Sequence, residues 1–310
     1  MQLGVDWTPS LFVNAHLHLL AQEDHVGVPE AYVDANFRAR EDRVRVRAGA
    51  FFLPGSRENV DALWETPYTI TPSALNSWMG EEFRPIGIDV QWKRRAFDLG
   101  ATIYRGNDAL GAVPVAFGWT WTDRWTALGE TIPAGNPDQP NLISSVSDEV
   151  DGRLGWSARA RWTGEHALVQ LTHIDNRGDG LQYGDLLTWD TQFDIVGAEY
   201  STTLWTFAGE YGWGPTAVPG FVVDLRTGYA LASRRFTHGR ATLRYETFDN
   251  TSEYPTSGDR GSAITAAAFW EPRGPLRIGL EVTSLDAKRG PVVGDANRVV
   301  VEVRWRFSKK

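Results

Sequence analysis

The chain has 310 residues, no Cys, 14 Trp, 12% aromatic residues and a formal charge of -8. That aromatic content excludes a disordered chain, the missing Cys excludes disulfides, thiolate metal sites and Cys nucleophiles, and the acidic balance argues against nucleic acid as the main partner. No stretch approaches the roughly 18 consecutive apolar residues of a membrane-spanning helix.

The opening Met1-Gln2-Leu3-Gly4-Val5-Asp6-Trp7 lacks a basic segment followed by an apolar one, so it carries no secretory signal. From there the pattern is strict period-2 alternation with almost no helical signal. Strands are expected near 2–8, 11–22, 30–39, 42–51, 85–93, 96–104, 153–163, 166–174, 191–200, 203–212, 221–233, 236–248, 263–271, 275–286 and 296–307. In 42–51, Val44, Val46, Ala48 and Ala50 oppose Arg43, Arg45 and Arg47. In 153–163, Leu154, Trp156, Ala158, Ala160 and Trp162 oppose Arg153, Arg159 and Arg161. In 296–307, Val299, Val301, Val303, Trp305 and Phe307 oppose Arg298, Glu302, Arg304 and Arg306.

Two architectures give this alternation: a soluble sandwich with its apolar face inward, and a membrane barrel with its apolar face on lipid. Three features favour the barrel. Segments of about 9–12 residues match a tilted membrane strand. Ala-rich apolar faces would pack a soluble core thinly. Aromatic residues gather at segment ends (Trp7, Phe51, Trp92, Trp162, Trp270, Trp305, Phe307), as interfacial girdles require. Short turns (8–10, near 40–41, 94–95, 164–165, near 202, 234–235, 272–274) alternate with longer loops (23–29, 52–84, 105–152, 175–190, 213–220, 249–261, 287–295), as periplasmic turns and extracellular loops do. The expected fold is an all-β, single-domain, transmembrane antiparallel β-barrel over 1–310. Because the first visible strand leads into a short turn, the parity asks for one more strand and a signal peptide upstream. Segment 105–152 is a long loop or an extra hairpin (113–121 with 124–131), so the intact wall has 16 to 18 strands.

Segment 52–84 is too long and too patterned for a simple exposed loop. Its start, Gly49-Ala50-Phe51-Phe52-Leu53-Pro54-Gly55-Ser56-Arg57-Glu58-Asn59, and its end, Trp78-Met79-Gly80-Glu81-Glu82-Phe83-Arg84-Pro85-Ile86-Gly87, resemble the pore loop of phosphate-selective-type porins, in particular an uncharacterised proteobacterial branch of porin-like proteins. The resemblance covers about residues 42–93. It implies a loop folded into the lumen and narrowing it, with Arg57, Glu58, Asn59, Trp64, Tyr68, Glu81, Glu82 and Arg84 at the constriction. The loop lacks the dense Lys/Arg ladder of that family, since Arg57 and Arg84 are offset by Glu58, Asp61, Glu65, Glu81 and Glu82. Those residues serve either solute selection or an ion-pair network that holds the loop.

With polar faces inward, Arg38, Arg43, Arg45, Arg47, Arg159, Arg161, Arg240, Arg244, Arg277, Arg304 and Arg306 line the lumen against Asp34, Asp89, Asp98, Glu210, Asp224, Glu246, Glu281 and Glu302. An Arg excess favours anions, whereas paired charges stiffen the wall. Acidic residues concentrate in the loops (Glu23, Asp24, Asp148, Glu149, Asp151, Asp175, Asp179, Asp185, Asp249, Glu253, Asp259), where carboxylates suit divalent cations, although no EF-hand spacing is present. His16 and His18 share one strand face without an apparent third ligand, and no metal site is expected. No G-x-S-x-G, P-loop or Rossmann pattern appears, so the chain reads as a non-enzyme without a cofactor. The sequence thus points to an outer-membrane porin for small hydrophilic solutes, mildly anion-preferring, embedded in lipid and lipopolysaccharide as a homotrimer. The alternative is a soluble Trp-rich carbohydrate-binding or hydrolytic protein, with Trp119, Trp121, Trp205 and Trp213 stacking on sugars.

Overall fold

The computed structural model describes residues 2–21, 26–58, 66–81, 85–106, 108, 127–129, 131–133, 143–145, 147–184, 186–252, 259–272, 275–289 and 292–305. One antiparallel sheet of 15 strands forms the wall. In chain order it comprises β1 (Gln2–Trp7), β2 (Val13–Ala21), β3 (Val26–Ala39), β4 (Asp42–Ala50), β5 (Ile86–Arg94) and β6 (Phe97–Arg105). After two short strands outside the wall, β7 (Thr131–Pro133) and β8 (Ile143–Ser145), it resumes with β9 (Gly155–Thr163) and β10 (Ala167–Asp175). A second small ribbon, β11 (Gln182–Tyr183) and β12 (Leu186–Leu187), precedes β13 (Asp190–Ser201), β14 (Trp205–Val218), β15 (Phe221–Phe236), β16 (Gly239–Ser252), β17 (Asp259–Trp270), β18 (Leu276–Arg289) and β19 (Val292–Trp305).

The fifteen strands are those expected when 105–152 stays a loop. The suggested hairpin 113–121/124–131 lies largely outside the described residues. β6 pairs directly with β9, from Phe97 opposite Trp162 to Tyr104 opposite Gly155. Every wall strand pairs with its chain neighbours in the wall, and β1 and β19 are the two edges.

The apolar face is the exposed one. Val299, Val301 and Val303 are 65–70% exposed, and Ile88, Leu171, Leu243 and Ile264 are likewise solvent-facing, while Thr102, Gln170, Arg244 and Glu281 on the alternate positions are buried inside. A water-soluble sandwich requires the reverse, so the soluble reading fails on its own core. Trp205 and Trp213 of that reading lie outward among other aromatics, stacked with Phe207 and Tyr211 respectively. Trp119 and Trp121 fall outside the described residues.

Four expectations need correction. Strands β3, β14, β15, β16, β18 and β19 run 14–16 residues, longer than the 9–12 expected. The presumed loops at 213–220 and 287–295 are mostly strand, leaving only 219–220 and 290–291 between strands, and Arg234-Arg235 lies within β15, the turn being at 237–238. At these long-loop ends the outward face is polar (Arg226, Asp249, Arg260, Lys288) and the buried face apolar (Val223, Leu225, Phe248, Leu285), so the apolar-outward alternation stops where the ladder continues. Asp224 also faces outward, because the buried positions of β15 are Val223, Leu225, Thr227 and Tyr229.

Candidate functional site

The segment between β4 and β5 folds into the barrel. Its two ends are joined where Phe51 N donates to Pro85 O at 3.2 Å. Phe52 N then donates to Glu30 of β3 at 3.0 Å. On the far side, Gly55 O accepts from Gln170 Nε2 and Thr172 Oγ1 of β10, both at 2.9 Å. Arg57 N donates to Glu210 of β14 at 2.9 Å, Ser56 Oγ donates to the same carboxylate, and the Arg57 guanidinium reaches Glu199 of β13 at 3.0 Å. Farther along, Ile70 N and Thr71 N donate to Glu281 of β18, at 2.6 and 3.2 Å. Ala74 N donates to Glu246 of β16 at 3.3 Å. A short helix α1 (Ala74–Asn76) and a π-helical turn (Ser77–Glu81) follow.

The wall therefore grips the loop mainly by its main chain. A carboxylate oxygen accepting a backbone N–H satisfies both a buried amide and a buried charge, and charge-assisted bonds of this kind are the stronger class. Arg244 of β16 sits at the hub with a fully buried side chain. It donates to Glu58 at 3.0 Å, Thr69 Oγ1 at 3.0 Å, Thr71 O at 2.8 Å and Pro72 O at 3.1 Å, and lies 3.4 Å from Glu246. Beneath α1 the packing is apolar: Leu53, Leu75, Trp78 and Met79 pack against Tyr104, Ile174, Phe193, Ile195 and Leu225 of the wall. Gly212 of β14 permits this approach, since a Cβ there would meet Phe193 Cε1 at 2.5 Å and Leu75 Cδ1 at 3.0 Å.

Among the residues expected at the constriction, Glu58 is buried (2% exposed) and accepts from Ser73 N at 3.0 Å and Asn76 Nδ2 at 2.6 Å besides Arg244. Tyr68 is half-buried, packs on Ala208, Tyr229 and Leu231, and carries the Arg240 guanidinium 4.7 Å above its ring. The backbone of Glu81 closes the π-helical turn. Asn59, Trp64, Glu82 and Arg84 lie outside the described residues. Sequence reasoning did not single out Ser56, Thr71, Ser73 and Asn76 of the loop or Glu30, Gln170 and Glu199 of the wall, and it placed Glu210, Arg244, Glu246 and Glu281 in the lumen without assigning them to the loop's anchorage.

The remaining wall charges form an Arg ladder. Arg47 makes a two-pronged contact with Asp34 at 2.9 and 3.1 Å and lies 3.8 Å from the Tyr32 ring centroid. Arg159 grips Asp89 at 2.7 and 3.0 Å, and Arg45 approaches the same carboxylate at 3.4 Å. Arg161 donates to Gln170 at 2.9 and 2.6 Å and lies 3.8 Å from Asp98. At the short-turn end Arg38, Arg43 and Lys93 sit opposite one another on β3, β4 and β5. On β18 and β19, Arg277 and Arg304 share Glu302, at 3.0 and 2.6 Å. Arg306 lies outside the described residues. His16 is engaged with Asp6 at 2.9 Å and His18 lies 3.8 Å from Glu30.

On the outer surface, Trp7, Trp162, Trp270 and Trp305 are exposed at the short-turn ends of their strands, with Trp92 half-buried there and donating from Nε1 to Asp42 at 3.0 Å. Phe37, Phe97, Tyr200, Trp205 and Phe236 extend the row, and Trp156, Tyr211, Trp213 and Tyr245 form a second one nearer the long loops. Phe51 leaves the girdle: it is 0% exposed, because the chain has already turned inward there and its ring lies 5.8 Å from the Arg47 guanidinium. Phe307 lies outside the described residues.

No protein-family model and no curated protein sequence matches the chain. Solved structures do. The chain is similar to OmpF of Salmonella typhi in complex with daunomycin (TM-score 0.61, 11% identity, 99% of this chain and 89% of that one). It is similar to the loop L8 deletion mutant of OmpT, an outer membrane protein of Vibrio cholerae (TM-score 0.60, 11% identity, 98% and 89%). The anion-selective porin from Comamonas acidovorans is similar too (TM-score 0.59, 13% identity, 99% and 89%). At these identities the likeness is one of fold: the chain has a porin-type antiparallel β-barrel.

Proposed function

We propose that the protein is an outer-membrane porin through which small hydrophilic solutes diffuse, with a preference for anions, and that it is neither an enzyme nor dependent on a cofactor. The exposed apolar face, bounded by two aromatic rows, supports a place in a bilayer, with the short-turn end periplasmic and the long-loop end in contact with lipopolysaccharide. One observation supports the anion preference above others. The wall carboxylates Glu210, Glu246 and Glu281 are buried under the loop and occupied by its amides, whereas Arg45 and Arg161 of the wall keep 27% and 24% of their side chains exposed. The solute then meets guanidinium more than carboxylate, which lowers the barrier for negative charge.

The likeness of residues 42–93 to phosphate-selective-type porins belongs to the same proposal as the origin of the inward loop. The Arg content of that loop does not single out phosphate as the solute. The edge strands β1 and β19 both run toward the short-turn end, so an all-antiparallel wall closes on itself only through an odd number of further strands, and we take that number to be one. A homotrimer is the expected assembly.

Planar-bilayer recording tests the reading. Discrete ohmic steps are expected, with a zero-current potential in a KCl gradient that reports chloride passing faster than potassium. A reversal of that sign would overturn the anion preference, and a lack of conductance from heat-modifiable, detergent-folded protein would overturn the channel.

A further inference from the structure

The mechanism of a diffusion pore makes no use of a cluster at the long-loop end. There the segment leaving β6 and the segment entering β9 bring together Asp108, Glu149 and Asp151, one carboxylate oxygen of each lying within 4.8 Å of the other two. The backbone fixes all three. Asp108 N donates to Asp148 O at 3.1 Å and Asp108 O accepts from Trp189 N at 2.8 Å. Asp108 Oδ2 accepts from the amides of Val150 and Asp151, and Glu149 Oε2 from Gly106 N at 2.7 Å. Asp151 accepts from Arg153 N at 2.7 Å and Asp179 N at 3.1 Å.

Each of the first two carboxylates is left with one oxygen that these bonds do not reach. Asp108 Oδ1 and Glu149 Oε1 are closed off from solvent and accept no hydrogen bond from the described residues, and Asp108 as a whole is 2% exposed. No Lys, Arg or His among the described residues forms an ion pair with any of the three. A buried carboxylate oxygen without a donor is costly, and three like charges this close compound the cost. Burial and the neighbouring charges of Asp151 and Glu149 push the Asp108 carboxyl up to about 6, even though two amides work to lower it. Such a group is short of positive charge.

We propose that Asp108, Glu149 and Asp151 bind a calcium ion, which takes Asp108 Oδ1 and Glu149 Oε1 as ligands. The donor set is all oxygen and all carboxylate, which selects a hard divalent cation over zinc or copper. Carboxylates whose positions are dictated by loop amides suit the flexible coordination of calcium better than the strict octahedron of magnesium. The bound ion ties three pieces of chain together. Asp108 holds the backbone of Trp189, and Asp151 holds that of Asp179, so Gly106, Asp108, 147–153, Asp179 and Trp189 are tied together at the mouth. The inference is independent of the channel reading.

The test uses the folded full-length chain in detergent free of lipopolysaccharide, stripped with EDTA. Calorimetric titration with CaCl2 is expected to show one saturable site per chain, in the roughly 0.1–1 mM range of weak extracellular calcium sites. Terbium is expected to bind with tryptophan-sensitised luminescence that calcium reverses and magnesium at equal concentration does not. Asp108→Asn and Glu149→Gln keep the oxygens that accept the loop amides and remove the charge, so each is expected to weaken calcium binding about tenfold or more. In EDTA, Asp108→Asn is expected to unfold at a higher temperature than the parent, and calcium is expected to stabilise the parent but not the variant. If Asp108→Asn fails to fold, Glu149→Gln decides. Absence of saturable calcium binding by the parent, or undiminished binding by both variants, would overturn the site. Equal displacement of terbium by magnesium would overturn the choice of calcium.

Discussion

The two sides of the lumen use charge in different ways. On β3 to β5 and β9, arginines meet aspartates on the next strand, as Arg47 does with Asp34, or over one intervening strand, as Arg159 does with Asp89 across β6, and several guanidinium groups stay partly exposed. On β14 to β18, glutamates turn toward main-chain amides of the inward loop and vanish from the lumen surface, Glu246 and Glu281 being 1% and 0% exposed. The charges facing a solute are therefore those left over after the fold has used its share. A count of Arg and Glu along the strands does not report this remainder.

The comparison can be broken most severely at its hub. Arg244→Met leaves Glu58 and Glu246 as uncompensated buried charges, an effect of about 3–5 kcal/mol. The expected outcome is a loop released from β16, read as a larger and noisier single-channel conductance and a lower temperature of heat modification. A conductance unchanged from the parent would show that the loop is held by its apolar packing instead. Next in size is Gly212→Val, which forces Phe193 and Leu75 apart at a cost of about 1–3 kcal/mol. Its signature is a shifted α1 with the charge network intact, so conductance changes while ion selectivity does not.

The Arg ladder gives the reverse outcome. Arg45→Ala with Arg161→Ala removes two partly exposed cations, while Asp89 keeps Arg159 as its partner. Stability is expected to fall by no more than about 1 kcal/mol, yet the zero-current potential moves toward potassium. The smallest effect needs no mutation. Screening lengths shrink from about 10 Å at 0.1 M salt to about 3 Å at 1 M, so the anion preference of the parent is expected to decline over that range. Selectivity that ignores salt would indicate a filter based on size.

Much of the wall was legible because lipid outside and polar groups inside produce alternation that survives in a single sequence. The run from Val299 to Trp305 and the run from Val44 to Ala50 each announce a strand and its lipid face without any knowledge of a partner. Legibility ended where either face changed character. The outer halves of β15 to β18 carry Arg226, Asp249, Arg260 and Lys288 outward, so the pattern fades although hydrogen bonding continues. Alternation also says nothing about who pairs with whom, and the direct pairing of β6 with β9 could not be read from it. The site was less legible still. Glu281 and Thr71 are separated by 210 positions, and no local pattern relates a wall carboxylate to an amide that far away. The loop's inward course came from resemblance, and the function of Asp108 from its burial, which sequence does not display.

The grip of Glu30, Glu210, Glu246 and Glu281 on backbone N–H groups has an evolutionary consequence. Every residue except proline offers the same amide, so substitutions along the loop leave its attachment intact while changing what it shows to passing molecules. Chassis and lining are inherited separately. A lineage could thus exchange one permeant chemistry for another by drift in a few loop side chains, and an engineer could do the same by grafting foreign sequences between fixed anchor points.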